Sequence, residues 1–107
     1  VQGARRGPRH RRLMVAPITA DELRAVQLGR PGWGRKGYRS ADVDDFLARA
    51  ADALTALALR RPPSLTPDEV HDVVFRKPPL GRDRGYEEDQ VDELLDRIEA
   101  ALRAGTG

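Results

Sequence analysis

Residues 18–50, ITADELRAVQLGRPGWGRKGYRSADVDDFLARA, and residues 65–98, LTPDEVHDVVFRKPPLGRDRGYEEDQVDELLDRI, are two versions of one pattern. An internal repeat constrains architecture before any local reading begins. With an offset of 47, Thr19, Asp21, Glu22, Val26, Pro31 and Gly34 fall on Thr66, Asp68, Glu69, Val73, Pro78 and Gly81. One further residue in the second loop moves the offset to 48. Gly37, Tyr38, Val43, Asp44, Leu47 and Arg49 then match Gly85, Tyr86, Val91, Asp92, Leu95 and Arg97. Chance likeness between helical segments would not keep Pro, Gly and Gly-Tyr in order, so the pattern reads as a duplication.

Each copy is near the lower size limit for folding alone. The chain of 107 residues has no Cys, so neither disulfides nor thiolate metal sites can staple it. The copies are therefore expected to bury their apolar stripes on each other or on a second chain. No apolar run approaches the ~20 residues of a membrane span. The basic N-terminus lacks the apolar core of a signal peptide. A cytoplasmic location is the default expectation.

The expected organisation is a disordered basic arm at 1–16, a first repeat at 17–60, a linker at 61–64, a second repeat at 65–104 and a frayed tail at 105–107. The arm holds five arginines and no acid, leaving 14 basic residues against 17 acidic in the remainder. The arm reads as a solvated tail or as a contact for anionic lipid or nucleic acid. The slightly acidic remainder argues against a nucleic-acid-binding core. Met14, just before the first repeat, is a candidate initiator.

Thr19 with Glu22 and Thr66 with Glu69 form capping boxes, and Pro67 suits a first helical turn. Short helices are predicted over 20–28 and 67–75, stopped by Pro31, Pro78 and Pro79. Leu23, Val26, Leu28, Val70, Val73 and Val74 are their expected anchors. Longer helices are predicted over 40–60 and 87–104, the first capped by Ser40. Val43, Phe46, Leu47 and Leu54, then Val91, Leu94, Leu95, Ile98 and Leu102, form apolar seams expected to drive self-association. The fold class is all-α: two helix–loop–helix repeats, each with a short capped helix, a basic Pro/Gly loop and a longer amphipathic helix. A coiled coil and a compact bundle fit this spacing equally. Parallel and antiparallel pairing, within one chain or across a homodimer, remain open.

The loops at 29–39 and 75–86 carry the chemistry. Gly37 and Gly85 are expected to supply positive-φ turns. Trp33 and Leu80 occupy corresponding places among cations: Arg35 and Lys36 in the first loop, Arg82 and Arg84 in the second. An apolar side chain flanked by cations suits the headgroup boundary of an anionic membrane. It suits packing on its own domain equally well. No nucleophile motif, phosphate cradle or metal-ligand spacing is visible, and His71 reads as a helical residue rather than a ligand. No cofactor is expected, and a binding or structural role is favoured over catalysis.

Residues 65–98 resemble the N-terminal domain of the DivIVA family of bacterial polar and septal scaffold proteins. The shared pattern is L-T-P-x-x-[VI]-H-x-x-x-F, a basic loop, then [KR]-G-Y-x-x-x-x-V-[DN]-x-[FL]-L. Residues 18–49 resemble it more weakly, with Leu28 in place of the usual Phe. The resemblance covers about two-thirds of the chain. It implies a parallel helical dimer whose crossed loops offer Leu80, and Trp33 as its counterpart, to the inner face of the cell membrane at poles or septum. Arg35, Lys36, Arg82 and Arg84 would assist. It also implies proteins of division or envelope growth as partners. Two copies in one short chain, without a long downstream coiled coil, suggest an adaptor rather than a filament former. A helical protein-interaction module without lipid contact is the alternative.

Overall fold

The structure is a computed structural model and describes residues 15–81 and 83–106, Thr106 as backbone only. Residues 1–14 of the arm expected at 1–16, together with Arg82 and Gly107, lie outside the described residues. Among the described residues four helices follow in order: α1 (Ala20–Ala25), α2 (Ser40–Ala58), α3 (Pro67–Asp72) and α4 (Glu88–Thr106). The short helices have six residues each and the long ones 19 each. All-α is therefore the observed class, with one isolated antiparallel bridge between Tyr38 and Tyr86.

Both capping boxes are complete. Thr19 Oγ1 accepts from the Glu22 amide at 3.1 Å while Glu22 accepts from the Thr19 amide at 3.0 Å. Thr66 and Glu69 repeat this at 3.1 and 2.8 Å. The short helices nevertheless end three residues earlier than predicted. Val26 and Val73 turn the chain extended, well before the prolines are reached. Two turns of helix have too few internal bonds to persist without packing. Leu23 and Val70 are buried, but Val26 and Val74 are exposed, so the anchoring expected of those two valines is not found.

Two further expectations are corrected. Ser40 is not an N-cap. Arg39 holds that position without a side-chain cap, and the Ser40 hydroxyl instead donates to Asp83 at 3.1 Å. The tail does not fray at Gly105, which lies within α4 beside Leu57.

Helix α1 packs on α2, α3 on α4, and α2 on α4. The Tyr38–Tyr86 bridge joins the two long helices at their N-termini, and Leu57 meets Gly105 near their C-termini. The long helices are therefore parallel. Val43, Phe46, Leu54, Val91, Leu94, Leu95, Ile98 and Leu102 are buried between them and the short helices, and Leu47 is half-buried. The seam is thus closed within one chain, each fully buried aliphatic side chain stabilising by about 1.5–3 kcal/mol. Phe75 completes it, its ring 5.4 Å from Tyr38 and 5.8 Å from Phe46.

Candidate functional site

Parallel helices place both loops at one end of the molecule. There the two Gly-Tyr dipeptides cross. Tyr38 and Tyr86 exchange backbone bonds of 3.0 and 2.9 Å, and the Gly37 amide donates to Arg84 O at 2.7 Å. The side chains swap as well. The Tyr38 hydroxyl donates to Asp92 at 2.9 Å, and the Tyr86 hydroxyl to Asp44 at 2.8 Å. Asp44 raises the Tyr86 pKa, because its carboxylate favours the protonated phenol.

Glycine is required on both sides of this crossing, for different reasons. Gly85 has φ of 80°, as expected. Gly37 is not in the left-handed region; a Cβ there would instead lie 1.8 Å from Tyr86 O. Close backbone approach, not turn geometry, fixes that glycine.

Above the crossing, Trp33 and Leu80 are 95% and 96% exposed. Their cations are less free than composition suggested. Lys36 Nζ donates to Pro79 O at 3.3 Å and Asp83 O at 3.2 Å. Arg84 donates to Pro31 O at 2.8 Å and Gly32 O at 2.6 Å. These two candidates brace the opposite loop. Arg35 is open, its guanidinium 4.0 Å from Glu87 and 70% exposed.

Arg39, Arg76 and Lys77 find acids that composition hid. Arg39 and Arg76 share Asp42, and Lys77 pairs with Glu88. Hydrogen bonds from Arg76, then Arg39, outweigh burial and hold Asp42 well below the usual carboxylate range. Arg30 donates to Ser40 Oγ and Gly85 O, and its guanidinium lies 4.9 Å over the Tyr86 ring. Asp83 accepts from the Gly85 amide at 2.9 Å, which lowers its pKa against a desolvation cost. Asp42 and Asp83 were missed as organising residues. Only three-dimensional pairing shows that one carboxylate serves two cations.

His71 Nδ1 lies 3.3 Å from Glu99 Oε1. Arg49 lies over the Phe46 ring, and Arg97 donates to Ala16 O and reaches Glu22. Among the described residues no three His, Asp or Glu side chains could jointly hold a metal ion. No helix among them is long and apolar enough to cross a membrane.

No family model and no solved structure matches the chain. A stretch of 38 residues is 58% identical to the cell wall synthesis protein Wag31 of Mycobacterium tuberculosis. It is equally identical to the proteins of that name from Mycobacterium leprae and Mycolicibacterium smegmatis. The match covers 36% of this chain and 14% of each relative, so the chain spans about a seventh of the length of these relatives. At 38 residues the match is about as long as one helix–loop–helix unit and too short to cover both. Over that stretch the chain is similar to a cell wall synthesis protein, which supports a DivIVA-like character for it.

Proposed function

We propose that this chain is a non-enzymatic scaffold or adaptor of DivIVA type, built from two repeats and acting in bacterial cell division or polar wall growth. In this reading it is peripheral to the inner face of the cell membrane. Trp33 and Leu80 enter the headgroup boundary of anionic or curved bilayer, and Arg35 meets lipid phosphate. One observation carries the reading: two large apolar side chains stand almost fully exposed at the same end of one closed helical body. Each cation near an anionic surface contributes roughly 1 kcal/mol, and two tips on one rigid end gain further through effective concentration.

Co-sedimentation with vesicles of anionic and of neutral lipid tests it. Binding is expected to anionic vesicles and to be lost in Trp33→Ser with Leu80→Ser. Unchanged binding in that double variant overturns the lipid contact. A second reading, a helical protein-interaction module without lipid contact, is favoured by the bracing roles of Lys36 and Arg84. It predicts no vesicle binding in either lipid.

A further inference from the structure

The two halves differ most on the outer faces of their short helices. On the second half, Phe75, Leu95 and Glu99 close the face between α3 and α4, with Glu99 only 6% exposed. His71 and Arg103 lock that carboxylate in place, Arg103 at 2.8 Å. Burial opposes ionisation of Glu99, but the two hydrogen bonds together hold its pKa down.

At the corresponding positions the first half carries Leu28, Leu47 and Ala51. Leu28 and Ala51, smaller than Phe75 and Glu99, leave an open groove of about 360 Å³ between the residues following α1 and the outer face of α2. Leu23, Val26 and Ala48 complete its apolar lining, and Val26 is exposed. Asp44 and Asp52 stand on its rim, eight residues apart on α2, or about 12 Å along the axis. Tyr86 donates a hydrogen bond to Asp44 at this rim. Arg24 sits 3.7 Å from Asp52, whose carboxylate remains 80% exposed. Asp45, next to Asp44, is exposed too.

We infer that this groove docks a cationic amphipathic segment of a partner protein, which seats an aliphatic or aromatic side chain on Leu28, Leu47 and Ala48 and sets Lys or Arg against Asp44 and Asp52. Charge complementarity selects the occupant. An anionic segment would set like charge against Asp44 and Asp52, the latter shared with Arg24 on the same rim. A helix matches the rim, since two cations two turns apart on one face span the same distance. The site uses neither Trp33 nor Leu80, so it does not depend on lipid contact.

The test is amide-shift mapping by NMR on the full chain. The probe is an amphipathic peptide of about 16 residues, of leucine, alanine and lysine with lysines two turns apart. Shift changes are expected at residues 23–28 and 44–52. Leu28→Phe, which supplies the side chain that closes the other half, and Ala48→Lys, at an exposed helical position, are each expected to weaken binding at least about tenfold. Circular dichroism verifies that each variant is folded. Trp33→Ser is expected to change nothing, and a peptide with glutamate in place of lysine is expected not to bind. Equal shifts over α3 and α4, or full binding by both groove variants, overturn the proposal. So does a dimer of the free chain that Leu28→Phe dissociates, because the groove would then hold a second copy.

Discussion

Lys36 and Arg84 occupy equivalent places in the two loops, and each donates to backbone carbonyls of the loop opposite. Each of these side chains braces the loop opposite its own. The apolar tips therefore share a platform whose stiffness belongs to both halves jointly. A charge-assisted hydrogen bond contributes roughly 1.5–3 kcal/mol when well formed; these are partly exposed, and the lower end applies. Lys36→Met and Arg84→Met are each expected to cost about 1.5 kcal/mol and to speed hydrogen exchange at the Gly37, Tyr38 and Tyr86 amides. Because the two braces hold one crossing, the double variant is expected to be non-additive. A double-mutant cycle by urea denaturation measures this, and strict additivity would mean the braces act separately.

The crossing of Gly37 and Gly85 admits no side chain. A Cβ on Gly85 would lie 2.3 Å from Tyr38 O, and Gly85 also has positive φ. Both obstructing atoms are backbone, so relief requires the strands to part and the Tyr38–Tyr86 bonds to lengthen. Gly37→Ala and Gly85→Ala are each expected to destabilise by about 3 kcal/mol or more. By contrast, Gly32→Ala, with open space around it, is expected to stay within about 0.5 kcal/mol. Thermal unfolding of the three variants tests the ranking.

The helices were legible because each is signalled locally. T-x-x-E fixes where α1 and α3 begin, and the spacing of Val43, Leu47, Val91 and Leu95 fixes the long helices and their buried faces. Helix ends were not legible. Val26 and Val73 leave the helix because the chain must run extended to bring the loops together, a tertiary demand with no local mark. Pairing direction was equally hidden, since a/d spacing is the same in parallel and antiparallel seams. At the site, the positions of Trp33 and Leu80 could be read from the repeat. The employment of Lys36 and Arg84 could not, because a carbonyl acceptor leaves no trace in composition.

Arg60 closes α2 with φ of 60°, a left-handed conformation uncommon for a residue bearing a Cβ. The Arg61 amide reaches back to Ala56 O at 2.8 Å and the Arg60 amide to Leu57 O at 3.0 Å, so the turn satisfies the last carbonyls. Glycine holds this backbone without the steric cost of roughly 1–2 kcal/mol. The greater freedom of glycine in the unfolded chain offsets part of that gain. Arg60→Gly is expected to stabilise by about 0.5–1 kcal/mol, raising the thermal midpoint. A lowered midpoint would mean the Arg60 side chain contributes more than its strain removes.

Asp42 ties the start of α2 to the second loop. It accepts from Arg76 Nε at 3.0 Å and Nη2 at 2.9 Å, and from Arg39 at 2.8 Å. Its folded pKa is depressed, chiefly by Arg76. A depressed carboxylate contributes stability that is fully present above its unfolded pKa of about 3.9 and is lost as pH falls toward its folded value. The urea midpoint is therefore expected to fall steadily below about pH 4. Asp83 and Glu99, also depressed, act in the same direction. Asp42→Asn isolates the residue. Near neutral pH the variant is expected to be less stable by about 1–3 kcal/mol, having lost the charged acceptor. Its deficit is then expected to shrink as acid protonates Asp42 in the parent chain. A deficit that stays constant from neutral pH down to about pH 2 would show that the Arg76 and Arg39 contacts do not depend on the carboxylate charge.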